Sequence, residues 1–318
     1  MPATSPPKHP LAPSTALRPA LLALSSLLVV QLLFGVWPVI AVLVMEHVSP
    51  RVLIGTRLLG AAPLLLLLVR PWRFGMSWRE ILSCAGLGFL GIALNQILFV
   101  EGLARSTPLN SAILGCLIPV YTAGLALLLG RERPRPLRLV GLALGLGGAL
   151  FLVGAERLDL GPDRMLGNLM LMSNTFVYSA YLVLARPLFA KYGALPVLTW
   201  VFAWAVPMGL PYAWHDMVSL DWAHQPPIVW GGLAYIVFGA TILAYVLNAV
   251  ALRHVTASTV AVFVYLQPLI TGVVADRVLA TRPDWHAWVS AGLIFAGIAL
   301  VTREGTRRLR KVPERPSA

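Results

Sequence analysis

Several amide side chains stand out in this sequence because they interrupt long runs of apolar residues. Gln31, Asn174 and Gln267 each lie about 14–15 Å from the start of their run, if the run is a helix that rises about 1.5 Å per residue. Asn95 lies beside Gln96 in a further run, and because neighbours on a helix point in different directions we expect only one of these two to face inward. Amides among apolar groups need hydrogen-bond partners, so they either join helices or bind a polar solute in a shared cavity.

Aromatic and cationic residues in the same runs extend this candidate site. Trp37, Tyr178, Tyr245 and Tyr265 are the more central aromatic residues, and they would supply either stacking walls with a polar handle or ordinary packing. Arg57 lies about 7 Å from one end of its run, with the same helical rise. Its guanidinium either reaches water at that end or faces the cavity, where it would attract an anionic group such as a carboxylate.

The composition of the chain indicates the environment of these groups. Hydrophobic residues make up 58% of the 318 residues and charged residues only 12%, whereas soluble domains carry roughly 25% charged residues. We therefore predict an all-α integral membrane protein. The net charge of +12 comes from short basic clusters between apolar runs, which argues against a nucleic-acid partner. The two cysteines lie inside apolar runs and the six histidines show no ligand spacing, so we expect no metal site.

Ten apolar runs have lengths that suit transmembrane helices, which need about 20 residues to cross a hydrocarbon core of ~30 Å. The fifth and tenth runs are short for this purpose. The ten runs are residues 21–44, 52–69, 81–103, 109–129, 137–153, 165–185, 195–214, 228–252, 258–279 and 285–301.

The distribution of Lys and Arg predicts the orientation of these spans. If the N-terminus is cytoplasmic, 18 of the 25 basic residues fall in cytoplasmic segments, six fall in outside loops and one, Arg57, lies within a span. The bias alternates from loop to loop, which supports the count of ten. We expect a disordered N-terminus (1–20) and a basic tail (303–318), both cytoplasmic.

The two halves of the chain match each other at an offset of 149 residues. Pro119 falls on Pro268, and Gly148 falls on Gly297. We predict a first five-helix unit at 21–153, a periplasmic linker at 154–164 and a second five-helix unit at 165–302. Because each unit has an odd number of spans, the second unit must cross the membrane in the opposite orientation, which is an arrangement typical of transporters.

The matched prolines, Pro119 and Pro268, interrupt the fourth and ninth helices. Each frees a backbone carbonyl near the middle of the membrane, and that carbonyl must find a partner in protein or water. The prolines are either hinges that shape a central cavity or packing kinks, and their recurrence at matched positions favours hinges. Small residues four apart in the fifth and tenth helices allow close helix packing, which we expect to occur within each bundle.

Five segments resemble the EamA-type permeases of the drug/metabolite transporter superfamily. The resemblance implies ten helices, with helices one to four and six to nine around a central substrate cavity and helices five and ten at the periphery. The segments are SPRVLIGTR (49–57), STPLNSAILGCLIPVYTAGLALLLGRE (106–132), VGLALGLGGALFLV (140–153), FGATILAYVL (238–247) and TASTVAVFVYLQP (256–268).

The resemblance implies a secondary transporter of the cell inner membrane rather than an enzyme. It would move a small polar metabolite, such as an amino acid derivative, a nucleoside or a drug-like compound, by alternating access, with export as the favoured direction. The alternatives are a flippase for a lipid-linked substrate and a membrane sensor that does not transport. We expect no cofactor, because the sequence holds no P-loop pattern. The expected partners are the small-molecule substrate, membrane lipid and a proton if transport is coupled to one; the oligomeric state is open.

Two carboxylates are candidates for such coupling. Glu101 lies about 30 Å along the third helix and Asp276 about 27 Å along the ninth, both near the outer face. Arg105 lies four residues after Glu101, so a structural helical ion pair is the alternative reading of Glu101. The alternative reading of Asp276, which has Arg277 beside it, is an interfacial charge. Members of the resembled family often carry a glutamate before the ninth-helix proline, where this chain has Gln267, and a neutral amide cannot carry a proton.

Overall fold

The computed structural model describes residues 14–153, 160–270 and 285–307, and every regular element within these ranges is a helix. Seven of these helices are long and apolar enough to cross a membrane. Three shorter apolar helices accompany them, at Pro136–Leu152, Ala257–Ile270 and Trp288–Arg303. This set is compatible with the ten predicted spans. Asp276 lies outside the described residues.

The ten helices are numbered here in chain order. The described turns between successive helices alternate between two ends of the bundle. We name these the Ser49 end, after the connection between the first two helices, and the Ser77 end, after the next connection. The helices are α1 (Ser14–Met45), α2 (Pro50–Val69), α3 (Trp78–Ala104), α4 (Pro108–Gly115 and Ile118–Leu128), α5 (Pro136–Val153), α6 (Pro162–Tyr192), α7 (Ala194–Ser219), α8 (Pro227–His254), α9 (Ala257–Ile270) and α10 (Trp285–Arg307).

Helices α4 and α9 begin in the same way, as the internal repeat requires. Thr107 precedes α4, and its Oγ1 accepts a hydrogen bond from the N–H of Asn110 at 3.0 Å. Thr256 precedes α9, and its Oγ1 accepts a hydrogen bond from the N–H of Thr259 at 3.3 Å. The two threonines are 149 residues apart, so the same N-cap chemistry starts both helices.

The same two helices are also interrupted at equivalent positions. Helix α4 stops at Gly115 and resumes at Ile118, and α9 passes through a tighter 3₁₀ turn at Phe263–Tyr265. Both interruptions lie just before the repeated prolines, Pro119 and Pro268. A proline ring removes a backbone donor and crowds the turn before it, which explains the position of each break. The role of the breaks as hinges stays a prediction.

A second pair of equivalent helices, α3 and α8, contains wider turns of π-helix. The π-helical stretches are Phe89–Leu94 in α3 and Tyr235–Leu243 in α8. At the offset of 149 residues, Gly91 in the first stretch corresponds to Ala240 in the second. Such turns shift the backbone out of the regular hydrogen-bond ladder, so their carbonyls become available to side chains.

Helices α5 and α10 pack against each other in antiparallel fashion. A methyl group on Gly141 would lie 2.9 Å from the carbonyl oxygen of Gly297, and one on Gly148 would lie 3.0 Å from that of Ser290. At the repeat offset, Gly141 corresponds to Ser290 and Gly148 corresponds to Gly297. The repeat therefore converts the first contact into the second and the second into the first. Our expectation that each of these helices packs within its own bundle is therefore wrong, because their small residues let the two backbones meet.

This contact makes a prediction about two alanine substitutions. A methyl group on Gly297 would lie 2.6 Å from the carbonyl oxygen of Gly141, whereas nothing lies within 4 Å of one on Gly147. We expect Gly297→Ala to lower the free energy of unfolding by about 1–3 kcal/mol through overpacking. The control Gly147→Ala should raise it by about 0.5–1 kcal/mol, because alanine favours the helix. Thermal unfolding in detergent measures both, and equal shifts would contradict the contact.

Candidate functional site

A cavity lies among seven of the helices, α1, α2, α3, α4, α6, α8 and α9. It encloses about 820 Å³ of empty space, including the part that opens to the surface. Its lining residues on α4 and α6 fall in the halves of those helices that lie nearer the Ser49 end. On the side of the Ser77 end, α9 separates the cavity from that surface, since every residue of α9 from Ala257 to Leu266 is buried. A second pocket at the Ser77 end, lined by Glu132, Arg186 and Ala257 among others, is separate from the cavity. The cavity therefore extends from the middle of the bundle toward the Ser49 end.

Seven of the nine residues predicted to form a substrate site line this cavity. They are Trp37, Arg57, Asn95, Asn174, Tyr178, Tyr245 and Gln267. Gln31 lies beside the cavity, where its Oε1 accepts a hydrogen bond from Nε2 of Gln267 at 2.8 Å. The structure thus brings together side chains from both halves of the sequence, and their role in binding a substrate stays a prediction.

Tyr265 lies elsewhere. Its side chain is fully buried, and its ring packs against α5, where it would lie 2.4 Å from a methyl group on Gly145. Tyr265 belongs to the 3₁₀ turn of α9, which turns its side chains to directions that a regular helix would not give. Its place in the sequence indicated the right depth but not the right face.

A network of hydrogen bonds joins the polar side chains at the centre of the cavity. Nη1 of Arg57 donates to Oε1 of Gln96 at 2.5 Å, and Nε2 of Gln96 donates to Oδ1 of Asn95 at 3.0 Å. The same Nε2 lies 3.5 Å from the hydroxyl oxygen of Tyr245. Nδ2 of Asn174 donates to the carbonyl oxygen of Asn95 at 2.8 Å. Four helices are held together by these contacts.

The π-helical turns supply two acceptors of this network. The hydroxyl of Tyr245 donates to the carbonyl oxygen of Gly91 at 3.1 Å, and Nη2 of Arg57 donates to that of Ala240 at 3.1 Å. Gly91 and Ala240 are equivalent positions of the repeat. Both wide turns therefore present a carbonyl to a polar side chain of the site, which fits the frequent occurrence of such turns at functional sites.

Arg57 is almost fully buried, with 2% of its surface exposed. Its guanidinium lies over the ring of Trp37, 4.8 Å from the ring centroid. In the described part of the chain, no carboxylate lies within the 4.0 Å of an ion pair with Arg57. Of the two orientations left open by the sequence, the side chain takes the one that faces the cavity.

Aromatic rings form the less polar walls. Trp37 stacks on Phe99 with ring centroids 6.1 Å apart and an angle of 26° between the planes, and Tyr178 stacks on Tyr181 in a similar way. Phe34 meets Tyr245 edge to face at 6.2 Å. The site thus combines amides and a cation with stacked aromatic surfaces.

Sequence reasoning missed several lining residues, and Gln96 is the most informative. Both Asn95 and Gln96 line the cavity, so the expectation that only one of them faces inward is wrong. The cavity wraps around α3, which exposes two adjacent positions to it. Gln96 corresponds to Tyr245 at the repeat offset, so the repeat held a signal for it. The other missed polar residues are Ser111 and Thr175.

Glu101 lies away from the cavity, at the Ser49 end. It is 3% exposed and pairs with Arg105, and one of its oxygens accepts a hydrogen bond from the Tyr212 hydroxyl at 2.7 Å. Arg51 lies 3.8 Å from Glu101 and 3.5 Å from Asp216. These contacts form a cluster around the buried Glu101 that joins α2, α3 and α7.

In the described ranges, no group of three or more His, Cys, Asp and Glu side chains could hold a metal ion.

The repeated prolines lie next to the cavity. Gly115 and Ile118, on either side of the break in α4, line it, and so does Gln267, which directly precedes Pro268.

Comparisons with known proteins agree with this architecture. The model of the EamA-like transporter family matches residues 21–154 and 165–303. The chain is 27% identical over 262 residues to an uncharacterized transporter of Archaeoglobus fulgidus, which covers 81% of this chain and 89% of that one. It is 23% identical over 278 residues to the uncharacterized transporter YetK of Bacillus subtilis, covering 86% and 84%. A solved crystal structure, 18% identical, shares the fold with a TM-score of 0.70 over 92% of this chain and 99% of its own.

Two tyrosine substitutions test the assignment of side chains to the network. No described residue offers a hydrogen bond to the buried Tyr265 hydroxyl, so Tyr265→Phe should leave the free energy of unfolding unchanged or slightly higher. Tyr245→Phe removes the bond to Gly91 and should lower it by about 0.5–1.5 kcal/mol. Thermal unfolding in detergent compares the two, and the reverse ranking would contradict the geometry.

Proposed function

The chain belongs to the EamA-like transporter family, and on that premise we propose that it is a secondary transporter that carries a small polar metabolite by alternating access. The observation that carries this proposal is that Gln96 and Tyr245, which occupy equivalent positions of the two repeats, meet inside one buried polar cavity. A site where the two repeats meet can be reached from either side of the membrane when the repeats exchange conformations.

The difference between the two ends of the bundle, one reached by the cavity and the other closed by contacts, supports alternating access. The cavity extends toward the Ser49 end, and the Ser77 end is closed by buried contacts. There, the carboxylate of Glu132 pairs with Arg138 and accepts a hydrogen bond from the backbone N–H of Ser258 at 3.2 Å. Ser258 lies in the first turn of α9, where the partial positive charge of the helix end favours a carboxylate. We propose that this contact is part of the closed gate.

We propose that the Ser49 end faces the periplasm and the Ser77 end faces the cytoplasm, in the cell inner membrane. The Lys and Arg distribution supports this orientation, which also makes both termini cytoplasmic and residues 154–164 a periplasmic linker between units at 21–153 and 165–302. The structure then corresponds to a conformation open toward the outside. Export remains the proposed direction, and the sided labelling of a cavity cysteine measures the orientation.

Glu101 is the coupling candidate that can be argued from contacts. It is a buried carboxylate that joins three helices at the Ser49 end, so adding a proton would weaken its pairs with Arg105 and Arg51. We propose that this change biases the transporter between its two conformations. Asp276 keeps its place as a second candidate from the sequence.

A flippase for a lipid-linked substrate would need a groove that is open to lipid and lined by several basic residues. Among the described residues that line the cavity, Arg57 is the one basic side chain. This favours a small solute over a large lipid headgroup as the substrate.

If Glu132 and Ser258 form a closed gate, a cysteine in the cavity should react with thiol reagents at different rates from the two sides of the membrane. Ser111 lines the cavity, and the natural cysteines, Cys84 and Cys116, can be replaced by alanine. Ser111→Cys should react with a membrane-impermeant thiol reagent from the periplasmic side. Adding Glu132→Ala removes a charge-assisted hydrogen bond worth about 1.5–3 kcal/mol, so cytoplasmic labelling should rise about 10-fold or more.

Periplasmic labelling should fall in the same variant, because the two open states exclude each other. Asp221→Asn, at an exposed ion pair, is the control and should change neither rate. Faster labelling from both sides at once would indicate a leak and would contradict alternating access.

Transport itself is tested by counterflow in proteoliposomes with a compound found by a resistance screen of an overexpressing strain. Asn174→Ala and Gln267→Ala should lower the counterflow rate about 3- to 10-fold, as expected when a hydrogen bond to the solute is lost. Leu169→Ala, on the exposed face of the helix that carries Asn174, is the matched control and should leave it unchanged. Glu101→Gln should keep counterflow but lose accumulation driven by a proton gradient.

Unchanged rates in both cavity variants would show that the site is assigned wrongly. Loss of counterflow in Glu101→Gln would make Glu101 a structural residue instead of a coupling residue.

A further inference from the structure

Arg57 carries the charge among the described residues that line the cavity, and it does so while almost completely buried. Two of its N–H groups donate to neutral acceptors, Oε1 of Gln96 and the carbonyl oxygen of Ala240. A guanidinium has five N–H donors in a fixed planar fork. Three donors are therefore left without an acceptor among the described residues.

The positive charge of Arg57 is also left without a carboxylate. The other buried arginine of the described residues, Arg138, is paired with Glu132. Even Arg51 and Arg105, whose side chains are more than 40% exposed, lie against Glu101. Burying a cation without a counter-charge is unfavourable by several kcal/mol in a protein interior, and charged groups inside a bilayer are as a rule paired. The amide of Gln96 and the carbonyl of Ala240 offset only part of this cost.

The surroundings of Arg57 limit how an anion could approach. The ring of Trp37 covers one face of the guanidinium, and the stack of Trp37 on Phe99 continues this apolar surface along the cavity. An anion would therefore meet the edge of the guanidinium, which carries the N–H groups and suits a two-oxygen acceptor. Any apolar part of the same molecule would lie against the two rings.

We propose, on the premise of the transport function above, that the solute is a monocarboxylate with an apolar or aromatic body. Its carboxylate accepts hydrogen bonds from Arg57, and its body lies against Trp37 and Phe99. One guanidinium matches one negative charge, which favours a carboxylate over a phosphate dianion. A free amino acid fits less well, because its ammonium group would find no carboxylate in the described lining.

Three compounds with the same body and different charge test this proposal without any transport step. Phenylacetate, phenylacetamide and phenethylamine are added to the Ser111→Cys protein in detergent, with Cys84 and Cys116 replaced by alanine, and the rate of maleimide labelling is measured. We expect phenylacetate to slow labelling at a concentration at least 10-fold lower than phenylacetamide, which corresponds to about 1.4 kcal/mol. Phenethylamine should give no protection.

Variants then show whether Arg57 is the cause. Arg57→Gln should abolish the preference for the acid over the amide, and Arg57→Lys should keep part of it, because lysine retains the charge without the fork. Arg79→Gln is the matched control, since it removes the same charge at an exposed position at the Ser77 end outside the cavity, and it should leave the preference intact. Size-exclusion profiles check that each variant is folded.

The proposal is overturned if acid and amide protect the cysteine equally, if phenylacetate gives no protection, or if Arg57→Gln still prefers the acid. Should Arg57→Gln not fold, the three compounds on the Ser111→Cys protein still decide the question. Protection by the acid without counterflow of any solute would keep this site and reject the transporter. Counterflow of a neutral solute without protection by the acid would keep the transporter and reject this site.

Discussion

A polar group inside a bilayer must find its partner within the protein, and this constraint organises the centre of the molecule. The π-helical turns of α3 and α8 release the carbonyls of Gly91 and Ala240, and Tyr245 and Arg57 satisfy them. The interruption of α4 lies at the wall of the same cavity, between Gly115 and Ile118. Irregular backbone therefore occurs here where side chains from neighbouring helices can compensate for it, and the cavity lies where these irregular segments meet.

The duplication explains why neither half could form this site alone. Gln96 comes from the first repeat and Tyr245 from the second, and these two residues, at the same position of the repeat, meet each other in the cavity. Gln31 on α1 bonds to Gln267 on α9 in the same manner, across the two repeats. The identities of the paired residues differ, so the site is chemically asymmetric even though its backbone framework repeats. The cavity consequently presents an arginine on one side and tyrosine and amides on the others.

The sequence predicted the helices, and the depth of the site residues along them, better than the direction in which each side chain points. Depth along a helix follows from counting residues, and this placed Asn174 and Gln267 at the cavity. Direction depends on helical phase, which the 3₁₀ turn of α9 changes, and Tyr265 consequently faces α5. Gln96 was missed because a regular helix presents one of two neighbours to a flat partner, whereas the cavity curves around α3. The pairing of α5 with α10 depends on contacts between distant segments, which the local pattern of small residues does not specify.

The glycine seam between α5 and α10 has a mechanical consequence. Its contacts, Gly141 with Gly297 and Gly148 with Ser290, are exchanged by the repeat, so the seam lies on the symmetry axis of the fold. The repeat operation maps this seam onto itself, so the proposed exchange of conformations between the two repeats does not require the seam to open. A covalent cross-link between α5 and α10 at the seam is therefore compatible with that exchange.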